Sequence, residues 1–113
     1  MELVGKEDSP NLAQKIADAA GSALGTELGR TWVKLRYLPS AHYAENGATD
    51  PEMRPVFVSL LLGRSLPAVG RKELSLTLAR AIGEVVGRPI ENVHILFEPD
   101  ARGRMAFGGV LVE

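Results

Sequence analysis

Residues 55–65 read Pro55-Val56-Phe57-Val58-Ser59-Leu60-Leu61-Leu62-Gly63-Arg64-Ser65. The stretch is an almost continuously apolar strand closed by a glycine and an arginine, and the run Val56 to Leu62 predicts a strand buried on both faces. A helical pattern follows over about Arg71 to Val86, and then the strand Val93-His94-Ile95-Leu96-Phe97. The same order occurs earlier in the chain. Leu3-Val4-Gly5-Lys6 precedes a helix, which precedes Val33-Lys34-Leu35-Arg36-Tyr37. Eight residues precede Gly63 back to Pro55, but only four precede Gly5, so the first copy is expected to lack the start of its first strand.

The two copies match position by position. Leu12, Ile16, Ala19, Ala20, Ala23 and Leu24 have helical spacing, as do Leu74, Leu78, Ala81, Ile82, Val85 and Val86, at an offset of 62. Gly21 and Gly25 match Gly83 and Gly87 at that offset, and Tyr37-Leu38-Pro39 matches Phe97-Glu98-Pro99 at an offset of 60. Two copies of about 60 residues point to duplication of a β-α-β unit rather than to a solenoid array. We divide the chain into repeats 1–53 and 54–113 of one domain.

Local signals fill in the elements. Met1 to Val4 is a strand remnant. Ser9-Pro10 opens the first helix, with Ser9 as N-cap and proline at the first helical position. Gly25 stops that helix. Trp32 to Leu38 alternates as a strand. Pro39 to Glu52 is the central linker, where Asn46-Gly47 and Asp50-Pro51 signal turns and a small hairpin. Met105 to Val112 is expected to return through Gly108-Gly109 as a short edge strand. Parallel strands within each unit require right-handed crossovers. The expected class is α+β, a duplicated β-α-β unit with a four-stranded mixed sheet and both helices on one face. Val33, Leu35, Phe57 and Leu61 are expected on the opposite face, where exposed apolar surface marks an interface.

Composition excludes several classes. The chain has 113 residues, 45% hydrophobic, with a net charge of −1 and no cysteine. Disulfides, thiolate zinc sites and cysteine nucleophiles are excluded, and cysteine-free composition agrees with a cytoplasmic location. The basic residues are dispersed rather than striped, so no nucleic-acid partner is expected. No apolar run approaches the ~20 residues of a membrane span. The two histidines, His42 and His94, lack metal-ligand spacing, and no phosphate-binding or dinucleotide-binding glycine motif is present. No metal or cofactor is expected.

Pro55 to Ser65, the helix after it, Val93-His94-Ile95 and Arg104-Met105-Ala106-Phe107-Gly108-Gly109 together resemble a subunit of the 4-oxalocrotonate tautomerase family. Met105 to Gly109 also resembles the related macrophage migration inhibitory factor group. The resemblance covers the second half well and the first half weakly. It implies the duplicated β-α-β fold, commonly a homotrimer when two units are fused, and proton-transfer chemistry on a small anionic keto or enol acid. In that family an N-terminal proline is the general base, and arginines bind the substrate carboxylate and stabilise the developing enolate.

Carried onto this chain, Arg64 matches the arginine after the first strand and is the candidate catalytic, carboxylate-binding group, because guanidinium grips a carboxylate bidentately. Lys6 holds the same position in the first copy. The second family arginine falls at His94, and at Lys34 in the first copy. Met105 matches the apolar position near the C-terminus, with Phe107 close by. Pro55 aligns with the family proline but lies inside the chain, where its nitrogen is a non-basic amide. Met1 is followed by Glu2, whose bulk opposes Met removal, and the alignment places Met1 about four residues into the strand. Either the start lies upstream or the proline mechanism has been abandoned.

Two further groups stand out. In the linker, Tyr43 is a candidate donor and Glu45 a candidate to orient water. Arg36, with Arg30, Lys34 and Trp32, is placed to line the mouth of an anion site. Three functions follow: keto–enol tautomerisation of a small 2-oxo or enol carboxylic acid, hydration or dehalogenation, and a non-catalytic trimer that binds small anions or protein.

Overall fold

A computed structural model describes residues 1–6, 9–47, 50 and 54–113. The elements are β1 (Glu2–Val4), α1 (Leu12–Leu24), β2 (Arg36–Leu38), a 3₁₀ turn (Ser40–His42), β3 (Val56–Leu60), α2 (Ala68–Val86), a second 3₁₀ turn (Ile90–Asn92), β4 (Val93–Phe97), β5 (Ala106–Phe107) and β6 (Val110–Leu111). Four strands form one mixed sheet in the order β2-β1-β3-β4. Within each repeat the pair is parallel, and β1 meets β3 antiparallel at the centre. This is the expected α+β arrangement of two β-α-β units.

Both helices pack on one sheet face and on each other. Leu3, Val56, Ile16, Leu78 and Ile82 are almost wholly buried between them. Burying side chains of that size is worth roughly 1.5–3 kcal/mol each. The helix ends repeat as closely as the helices do. Gly25 and Gly87 both take left-handed conformations, at φ 66° and 68°. The next amide bonds back in each case, Thr26 N to Gly21 O at 3.0 Å and Arg88 N to Gly83 O at 2.9 Å. This is the 6→1 bond of a Schellman cap.

Several expectations need correction. Ser9 is not the N-cap of α1. The cap is Asn11, held left-handed at φ 56°, a conformation asparagine tolerates better than most residues. Helix α2 begins at Ala68 rather than Arg71, because the Pro67 carbonyl accepts its first turn through Arg71 N at 3.0 Å. Strand β2 starts at Arg36, not Trp32. The ladder ends where the Met1 amine donates to Lys34 O at 2.7 Å, and among the described residues no strand pairs with 32–35.

Strand β3 is not buried on both faces. Val56 and Val58 are buried, while Phe57 and Ser59 are exposed, because the helices cover only one side. Val33 and Leu35 pack toward the core, so of the four residues expected on the open face only Phe57 and Leu61 are exposed. Residues 105–112 do not join the sheet. Gly108 and Gly109, both at positive φ, close a two-residue loop that folds β5 onto β6 as a separate hairpin. Among the described residues, the linker holds the Ser40–His42 turn and the Asn46-Gly47 turn, with no strand pair. Pro51 of the predicted Asp50-Pro51 turn lies outside the described residues.

Candidate functional site

The open sheet face carries one row of side chains at a single register. Arg36 of β2 stands beside Glu2 of β1, Glu2 beside Phe57 of β3, and Phe57 beside His94 of β4. All four are exposed, Phe57 by 39%. Their neighbours one residue along, Leu3, Val56 and Val93, turn into the core. Strand alternation thus puts a cation, a carboxylate, an aromatic ring and an imidazole side by side on the uncovered face.

The linker adds two groups. The Tyr43 ring lies 5.6 Å from Phe57, tilted by 59°, and Phe57 lies 5.6 Å from the His94 ring. The Tyr43 hydroxyl donates to the Glu45 carboxylate. That hydrogen bond is the largest cause that pushes the Tyr43 phenol above its ordinary value. Lys34 and Arg36 flank the Met1 α-amine. Its pKa is lowered, first by burial and then by those two cations, against the opposing charge of Glu2.

Arg64 lies elsewhere. Phe57 is near the start of β3, whereas Arg64 follows its end, on an exposed loop. The loop is pinned from below, since Ser65 N and Ser65 Oγ donate to Asp100 at 3.1 and 2.8 Å. Ala101 N reaches Leu62 O at 2.8 Å, and Met105 N reaches Ala101 O at 2.9 Å. Arg64 and Met105 therefore share the far end of the β3–β4 pair. Phe107 packs edge-on against Trp32, with centroids 5.0 Å apart. Of the sequence-predicted residues, the structure seats Tyr43 and His94 against Phe57 and sets Arg36 two strands away in the same row, with Lys34 at the Met1 amine. Within one chain it keeps Arg64 and Met105 apart from them.

Pro55 is wholly buried, and its carbonyl accepts from Val4 N at 3.1 Å and from Arg88 Nη1 at 3.2 Å. Its nitrogen is a buried, non-basic amide. Glu2 stands opposite Arg36 as Ser59 stands opposite Leu96, so Met1 corresponds to Val58, three positions after Pro55. Sequence reasoning missed Phe57 and Glu2 as site residues. Only the cross-strand register reveals them. Among the described residues, no three His, Cys, Asp or Glu side chains gather closely enough to hold a metal ion. No helix is long and apolar enough to cross a membrane.

No family model matches the chain, and no curated protein matches it in sequence. Solved structures match over nearly its full length. A wild-type fused 4-OT, F6, an asymmetric trimer, superposes with a TM-score of 0.69 at 19% identity, covering 98% of this chain and 94% of that one. The macrophage migration inhibitory factor of Oncomelania hupensis gives 0.70 at 16% identity, covering 99% and 82%. A malonate semialdehyde decarboxylase, studied for decarboxylase and hydratase activities, gives 0.63 at 14%, covering 95% and 88%. Two helices on a four-stranded mixed sheet, matched end to end by these proteins, give this chain the fold of the tautomerase superfamily.

Proposed function

We infer that this chain catalyses keto–enol tautomerisation of a small 2-oxo or enol carboxylic acid. The observation that carries this is the row Arg36–Glu2–Phe57–His94 on the uncovered face of a tautomerase-superfamily sheet. Arg36 offers a guanidinium to the carboxylate, Phe57 an apolar floor for the carbon skeleton, and His94 a hydrogen-bond donor for the enolate oxygen. Lys34 adds a second cation, and Tyr43 closes one side of the floor. Arg64 has no hydrogen bond or ion pair among the described residues, and in a homotrimer it is the guanidinium a second copy would supply, together with Met105 and Phe107. The trimeric fused 4-OT of the same fold supports that assembly.

A second function draws on the Tyr43–Glu45 contact. A carboxylate that holds a phenol beside an anion site is also equipped to activate water, as a hydratase requires. The deciding experiment follows ketonisation of phenylenolpyruvate and 2-hydroxymuconate, with Arg36→Ala and Arg64→Ala alongside. Tautomerisation predicts an active wild type and a loss of kcat/KM in both variants. An inert wild type that hydrates an unsaturated acid would move the assignment to water addition.

A further inference from the structure

The linker brings a phenol and a carboxylate, Tyr43 and Glu45, to the edge of the open sheet face beside Phe57. We propose that Tyr43 and Glu45 are a proton-transfer pair, in which Glu45 takes the enol O–H proton while Tyr43 delivers its hydroxyl proton to carbon. This rests on the tautomerase function inferred above and names the groups that perform it.

Three observations support the pair. Tyr43 and Glu45 are in direct hydrogen-bond contact, so the pair has a donor and an acceptor already joined. The Tyr43 ring is seated on Phe57, two strands from Arg36 in the same row, so a substrate held by its carboxylate at Arg36 reaches the phenol by spanning Glu2 and Phe57. Adjacent strands stand about 4.8 Å apart, which puts the Arg36 and Phe57 backbones roughly 10 Å apart, within reach of an extended guanidinium.

The step balances without a co-reactant. The enol oxygen loses its proton to the Glu45 carboxylate, and its electron pair forms the C=O bond. The enol C=C pair takes the proton from Tyr43 Oη and becomes a C–H bond. The Tyr43 phenolate then recovers the proton from the Glu45 carboxylic acid, restoring both groups. The Glu45 hydrogen bond pushes the phenol above its ordinary value, so the hydroxyl is protonated throughout the neutral range and must turn from Glu45 to reach carbon.

Tyr43→Phe keeps the ring on Phe57 and removes only the hydroxyl. Glu45→Gln keeps the shape and removes the base. With phenylenolpyruvate, each is expected to lower kcat by about 10²–10⁴-fold, the range for a positioned acid or base, with KM changed less than about threefold. Deuterium delivered to carbon in D₂O should be stereospecific in the wild type and random in Tyr43→Phe, a loss that a merely structural tyrosine would not cause. If the wild type is active and both variants keep kcat within about threefold and remain stereospecific, the pair is not the proton carrier, although the tautomerase function stands. If the wild type ketonises neither enol, the tautomerase function itself falls, and this proposal with it.

Discussion

The α-carbon of Gly83 is packed against the carbonyl of Arg88, where a Cβ would meet Arg88 O at 2.8 Å. That oxygen belongs to backbone just beyond the α2 cap, whose own bond, Arg88 N to Gly83 O, holds it in place. Its repeat partner, Gly21, has more room. There a Cβ would meet the Thr26 hydroxyl at 3.4 Å and the Thr31 hydroxyl at 3.5 Å. Gly83→Ala is therefore expected to destabilise the protein by about 1–3 kcal/mol, the usual cost of overpacking. Gly21→Ala should be near neutral or stabilising by up to about 1 kcal/mol, because alanine favours a helix interior and the contacting hydroxyls can turn. Urea unfolding of the two variants separates them, and equal losses would refute the distinction.

Arg88 is buried to 7% exposure, and its Nη1 donates to Arg54 O at 2.9 Å and Pro55 O at 3.2 Å. The side chain ties the helix cap to the chain entering β3. Arg88→Ala leaves two carbonyls without their charged donor and is expected to cost about 1.5–3 kcal/mol. Arg88→Lys should recover only part of this, since an ammonium cannot reproduce the planar fork. Full recovery with lysine in chemical denaturation would mean that charge, not geometry, holds the junction.

The fold was legible in the sequence because its signals are periodic and duplicated. Paired glycines 62 residues apart became paired helix caps, and the apolar run at 55–62 became the central strand. The misread parts depend on what lies beside each segment. Trp32 to Leu35 alternate like a strand but have no paired strand among the described residues, and residues 105–112 fold into their own hairpin because two glycines turn them back. The candidate site was half legible. Arg36, His94 and Tyr43 are chemical residue types that draw the eye. Glu2 and Phe57 join them only through the antiparallel register of β1 on β3, which no local pattern encodes. Arg64 follows the family motif and sits at the other end of β3, a separation that residue order alone does not convey.

Trp32 and Phe107 meet edge-on at 5.0 Å and tie the loop before β2 to the C-terminal hairpin. Trp32 also donates its indole N–H to Gly29 O at 3.0 Å, which fixes the ring. Such a pair contributes about 0.5–1.5 kcal/mol beyond area burial. A double-mutant cycle with Trp32→Ala and Phe107→Ala should return a coupling energy in that range. Additive single effects would show that the two rings are neighbours without a shared energy, and that the hairpin is held by its own backbone bonds.

Asp100 receives both Ser65 N and Ser65 Oγ, and these bonds, the side-chain one first, hold its carboxyl below the usual range. The folded pKa lies below the unfolded value of about 3.8. Between the two the unfolded chain binds more protons, so stability rises with pH. The contribution is complete above the unfolded value and is lost as pH falls through the folded one. Asp100→Asn cannot titrate. Its melting temperature, measured from pH 6 down to pH 2, should fall less steeply than the wild-type curve below about pH 4. Ser65→Ala should flatten the same limb, because it removes the hydroxyl that depresses the carboxyl. Parallel curves for all three proteins would mean that the Ser65–Asp100 contact is not maintained in solution. The Arg64 loop would then lose the anchor that holds it at the end of β3.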